Sequence, residues 1–175
     1  IVGVNREVGV RQPLKTIRQI IKKENPNTIF HSDMTQAIGK IAVNMHDVDL
    51  ASMSGHKIFG PKGIGFLYKN NKVNIVPLIH GSGKFNDLRS GTPALPLIVA
   101  LSKACRIALN DIEKKEASVK KLNDRICSEL SKIDGVTINS TKYSIPHILN
   151  ISFDNIRPET FIHALEDDEI YLSTN

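Results

Sequence analysis

The segment SMSGHKIFGPKGIGFLY, residues 52–68, constrains the fold more than any other part of the chain. An apolar, β-rich run ends in Ser54-Gly55-His56-Lys57, and Gly60, Pro61, Gly63 and Gly65 follow before a second run, GIGFLY. Glycines let the backbone turn tightly and approach a ligand. A lysine just past a strand end points into the crevice where α/β sheets bind ligands. Its amine can form a Schiff base with an aldehyde, provided a partly desolvated, cation-lined site keeps enough of it unprotonated. Taken alone, Lys57 reads as a surface lysine in a glycine-rich hairpin, so its company must decide.

The other runs agree with an α/β sheet. Pro13, Leu14, Ile17, Ile20 and Ile21 carry helical periodicity that stops at Asn25-Pro26. NTIFH (27–31), DLASMS (49–54) and NIVPLI (74–79) are short runs bounded by Gly, Asn or Pro and are expected as strands. After Thr92-Pro93, read as an N-cap and first-turn pair, apolar periodicity runs from Leu97 to Leu130. A run of about 40 residues is too long for an ordinary helix. It is expected to be bent or broken and to connect two domains. VTINS, HILNISF, a helix from near Pro158 and the closing IYLS predict a small α+β layer. The expected division is 1–105 for a larger α/β domain and 106–175 for the start of a smaller one.

Composition narrows the function classes. With 175 residues, 41% of them hydrophobic, the chain is long enough to bury a core. No segment approaches the roughly 18 consecutive apolar residues of a membrane span, so a soluble, cytoplasmic protein is expected. The net charge of +5 arises from 23 basic and 18 acidic residues, with Lys114, Lys115, Lys120 and Lys121 on helical sequence. That pattern reads as a solvated helix face and not as a nucleic-acid site. Cys105 and Cys127 show no CxxC spacing and no histidine-rich surroundings, so neither a disulfide framework nor a metal site is expected. GSGK (81–84) is not the end of a phosphate loop, because Leu78 and Phe85 stand where Gly and Ser or Thr are needed.

Upstream, HSDMTQ puts Asp33 and Gln36 just past another strand end. A carboxylate there can hold a pyridine nitrogen protonated, and an amide can donate to a phenolic oxygen. By itself Asp33 is an ordinary N-cap or turn aspartate. The combination of VNREVG (4–9), H-x-D-x-x-Q (31–36), SGHKIFGPKGIG (54–65) and HGSG…RSGT (80–92), in this order and spacing, resembles the class V aminotransferase group. Within it the resemblance is closest to bacterial cysteine desulfurases of the NifS/IscS type, and it covers nearly the whole chain.

The resemblance implies a pyridoxal-phosphate (PLP) transferase of fold type I, aspartate-aminotransferase-like, with the large-domain portion followed by part of a small C-terminal domain. It makes Lys57 the Schiff-base lysine, Asp33 the pyridinium partner and Gln36 the donor to the ring hydroxyl. Asn5 matches an asparagine beside cofactor and substrate, Ser54 and His56 match phosphate ligands, and Thr92 matches a threonine reaching the phosphate of the partner subunit's cofactor in a homodimer. It further implies L-cysteine as substrate, L-alanine as product, and transfer of sulfur through an enzyme cysteine persulfide to an iron-sulfur scaffold or another acceptor protein. That cysteine would follow a sequence resembling YLSTxSAC, and Tyr171-Leu172-Ser173-Thr174-Asn175 closes this chain. The expectation is therefore a piece cut at both ends and inactive alone. Phe85 and Asp87 depart from the family pattern, which has a glutamate and a further glycine before RSGT. The short distance from Lys57 to Arg89-Ser90-Gly91-Thr92 favours the NifS/IscS branch over the SufS-like one. The alternatives are another class V reaction, such as transamination or selenocysteine cleavage, and a non-catalytic dimerisation or docking module.

Overall fold

The computed structural model describes residues 1–81 and 88–174. The chain divides into two compact units, one of Ile1–Val4 with Gln12–Lys114 and one of Asn5–Arg11 with Lys115–Asn175.

The first unit is built on a three-stranded sheet in the order β1 (His31–Asp33), β2 (Leu50–Ser54), β3 (Gly65–Lys69). β1 and β2 are parallel with Asp33 opposite Ser52, whereas β2 and β3 are antiparallel with Ser54 opposite Gly65. Val2 bridges Asp33 in parallel, extending the ladder past β1. Alternation along β2 buries Ala51 and Met53 on one face and leaves Leu50, Ser52 and Ser54 half-buried on the other. Asp33 and His31 share that second face, where a nitrogen of the His31 ring lies 3.0 Å from the Ser52 hydroxyl. Gly65 is required by close approach, since a Cβ there would collide with the carbonyl oxygen of Met53.

Phe30, Met34, Ile38, Ile41, Val48 and Ile58 fill the core of this unit. Each such side chain contributes about 1.5–3 kcal/mol by leaving water. Helix α1 (Leu14–Glu24) is tied to the sheet by charge. The buried Asp49 carboxylate lies 2.6 Å from Lys22 Nζ and 3.2 Å from Arg18, and its Oδ2 accepts the Phe30 N–H at 2.9 Å. That bond takes Phe30 out of the strand expected at 27–31, and β1 begins only at His31.

Burial alone pushes the Asp49 carboxyl up, but Lys22, the Phe30 amide and Arg18 more than offset it and hold the group below the ordinary aspartate value. A depressed folded pKa stabilises above the unfolded pKa and is lost as pH falls. The melting midpoint is therefore expected to drop more steeply below about pH 5 in the parent than in Asp49→Asn. Asp49→Ala is expected to cost on the order of 3 kcal/mol at neutral pH, read from denaturant unfolding.

Two further sequence expectations are corrected in this unit. Residues 74–79 form no strand and contribute only a single bridge, Ile79 to Arg89, because Pro77 cannot donate to a ladder. The helical run starts at Leu95 with Ala94 as N-cap, not at Thr92-Pro93. It is broken into α2 (Leu95–Leu109) and α3 (Ile112–Leu130), where Asn110 turns extended and Asp111 adopts a left-handed φ of 51°.

In the second unit β4 (Val136–Ile138) pairs antiparallel with β5 (Ile151–Phe153), and α4 (Pro158–Glu166) follows. Phe153 and Phe161 pack with ring centroids 4.3 Å apart and planes tilted by 42°. The Asn5–Arg11 segment docks here: the amide of Ile145 donates to the Gly9 carbonyl, and the Ser144 hydroxyl donates to the Val8 carbonyl at 2.7 Å. The closing IYLS run is unpaired, contrary to the strand expected there.

Candidate functional site

The parallel pairing of β1 and β2 fixes where the ends of these two strands lie. Both strands run toward the same sheet edge, with Asp33 ending one and Ser54 ending the other, and the Met34 amide donates to the Ser52 carbonyl at 2.8 Å as the chain leaves the edge. Asp33 is exposed, and its Oδ1 accepts the Thr35 amide at 2.9 Å, so the carboxylate is held by its own turn. Among the described residues Oδ2 accepts no hydrogen bond.

From Ser54 the chain passes directly into a 3-10 helix, Gly55–Ile58, that carries His56 and Lys57. The turn is anchored from below by the buried Gly55 and Ile58, and it is closed by the Gly60 amide donating to the Gly55 carbonyl at 3.0 Å. His56 and Lys57 are exposed on top of it. Phe59 caps the turn in the left-handed region at φ 61° and is fully exposed. Ser54 occupies the N-cap position but spends no side-chain hydrogen bond on capping, which leaves its hydroxyl for another partner.

Gln36 is half-buried in the turn that follows β1, and its Oε1 accepts from Lys40 Nζ at 2.9 Å. Burial first, and then the charge of Lys57, lowers the Lys40 pKa from its ordinary value. Lys57 thus lies within electrostatic reach of the amine that holds Gln36. The sequence reading had not singled out Lys40. Its signal was only the four-residue spacing from Gln36, which most lysines four residues from an amide share without consequence.

The remaining predicted residues are placed differently. Thr92 is exposed three residues before α2 and caps nothing, which removes the plain helix-cap reading. Asn5 belongs to the second unit, and its Oδ1 accepts the amides of Glu7 and Val8 at 2.8 and 2.9 Å. Phe85, Asp87 and most of GSGK lie outside the described residues. A cleft of about 370 Å³ in the second unit, lined by Asn150, Phe153, Phe161 and Leu172 among others, contains none of the predicted residues. No cluster of metal-ligating side chains occurs among the described residues, and no described helix is long and apolar enough to cross a membrane.

Comparison with known proteins gives a consistent picture. The family model for aminotransferase class-V matches residues 1–174. The cysteine desulfurase IscS of Rickettsia prowazekii (strain Madrid E) is 45% identical over 173 residues, covering 95% of this chain and 42% of that protein. A NifS/IcsS protein homolog of Lactobacillus delbrueckii subsp. bulgaricus is 41% identical over 179 residues, covering 99% of this chain and 46% of its own length. Among solved structures, a NifS-like protein superposes with a TM-score of 0.93 at 40% identity, covering all of this chain and 48% of its own. The chain therefore spans less than half the length of the relatives it matches.

Proposed function

The chain belongs to the aminotransferase class-V family and has the α/β architecture of its NifS-like members, and from that premise we propose that the whole protein is a PLP-dependent cysteine desulfurase. Its reaction takes L-cysteine to L-alanine and passes the sulfur to an enzyme cysteine as a persulfide, for iron-sulfur cluster or thio-cofactor assembly through an acceptor protein. The observation that carries the reading is the parallel register of β1 and β2, which brings Asp33 to the same sheet edge as the strand leading into Lys57.

The residues fit the cofactor. An exposed carboxylate with one oxygen held by its turn, a half-buried amide whose oxygen is already engaged, and an exposed amine on a buried footing supply one acceptor, one donor and one nucleophile. When bound, PLP supplies an electron sink conjugated to the substrate Cα. Asp33 would hold a proton at the pyridine nitrogen, and Gln36 would donate to the phenolic oxygen. Ser54 and His56 would bind the phosphate, and Asn5 would lie beside cofactor and substrate. Lys57 would hold the aldehyde carbon and, once displaced by the substrate amine, move the proton at the substrate Cα.

Thr92 would reach the phosphate of the partner subunit's cofactor in a homodimer. Support comes from Phe59, Val76, Leu78, Leu95 and Val99, each an apolar side chain left exposed to water at a cost in free energy. Incubating the full-length protein with PLP, L-cysteine and an excess of a dithiol reductant, which is oxidised to its disulfide as it discharges the persulfide, is expected to release alanine and sulfide in equal amounts. Transfer of the amino group to a keto acid with no sulfide would favour transamination, a second reading that the shared cradle also accommodates, and would overturn the desulfurase assignment.

A further inference from the structure

We propose that Lys40 is a positioning residue of this site: by donating to Oε1 of Gln36 it fixes the amide so that only the Nε2 protons face an incoming ligand, setting the position to receive an anionic oxygen. The inference rests on the cofactor reading above and assigns a role to a residue outside the set carried by the resemblance.

An ammonium has donors and no acceptor. The 2.9 Å contact between Lys40 Nζ and Gln36 therefore decides which end of the amide is oxygen. The opposite end must then carry the two N–H donors, and rotation of the amide by half a turn would set N–H against NH₃⁺. A free glutamine at the same place would present oxygen or nitrogen with similar ease, and an anionic oxygen would meet the wrong face part of the time.

Lys40 is well placed to do this because its neighbour is locked. Gly39 has φ 77°, and a Cβ there would lie 2.7 Å from Ile58 Cγ2. The turn carrying Gln36 and Lys40 is thus packed directly on the residue that follows Lys57. The lowered pKa of Lys40, caused by burial and then by Lys57, agrees with a half-buried amine near Lys57.

The test uses the full-length protein with PLP, reading cofactor affinity and the visible absorbance maximum of the bound cofactor. K40M keeps the apolar stem and removes the donor. It is expected to weaken cofactor binding by about threefold to tenfold and to shift the maximum in the same direction as Q36A. K40R, which still donates to Oε1, is expected to restore the maximum, and K40M added to Q36A is expected to change nothing further. An absorbance maximum unmoved in K40M but moved in Q36A would overturn the inference, as would a K40M effect of equal size in the Q36A background. If Q36A is silent while Lys57→Ala still abolishes the visible band, the inference falls and the cofactor reading stands. If the band survives in Lys57→Ala, the cofactor reading beneath it falls.

Discussion

Full-length protein carrying Lys57→Ala is expected to lose the visible absorbance that PLP acquires in the parent and to turn over L-cysteine at least about 10⁴-fold more slowly. The size of the effect follows from two roles resting on one amine, covalent attachment and proton movement, so that no neighbouring group restores either. Lys40 is nearby, but its amine is committed to Gln36. Arginine is expected to be no better than alanine, because a guanidinium stays protonated and is not a nucleophile. Because Lys57 is exposed and its footing depends on Gly55 and Ile58, the melting midpoint of Lys57→Ala should match the parent within experimental error when both are stripped of cofactor. Retained absorbance together with retained turnover would show that another group holds the cofactor.

The second large effect is expected at Asp33. In Asp33→Asn the side-chain oxygen can still accept the Thr35 amide that Oδ1 accepts at 2.9 Å, so the turn is kept and only the charge is removed. A neutral amide does not hold a proton on a pyridine nitrogen opposite it, and the loss of one electrostatic partner in such a site costs about 10²- to 10³-fold in turnover. Asp33→Ala removes turn and charge together, and the comparison separates the two: Asn should lower kcat with an unchanged melting midpoint, whereas Ala should lower both. An Asn variant within twofold of the parent would remove Asp33 from the chemistry.

Much of this was legible in the residues, for reasons that differ from place to place. The 52–68 segment declared itself because glycines at a close turn leave few other folds, and both β2 and β3 formed where the apolar runs predicted them. The 74–79 run has strand-like composition, but Pro77 cannot join a ladder, and composition alone does not weigh that. The break at Asn110-Asp111 was anticipated from length, while its position depends on a left-handed aspartate that periodicity does not reveal. The start of β1 moved because Phe30 gives its amide to Asp49, a partner nineteen residues away. Among the proposed site residues, Asp33, Gln36 and Lys57 could be named from motif order. Lys40 could not, because the part proposed for it depends on a hydrogen bond and on packing against Ile58. Asn5 carries no such geometric support, its oxygen being taken up by its own turn in the second unit.

The short helical turn that bears Lys57 is pinned at its base by buried groups and open at its top. In the role proposed for it, Lys57 would combine a still backbone with a mobile four-carbon arm. Handing a proton from one atom to the next then asks for bond rotations in a single side chain, which take place in picoseconds to nanoseconds, and not for the slower opening and closing of a whole loop.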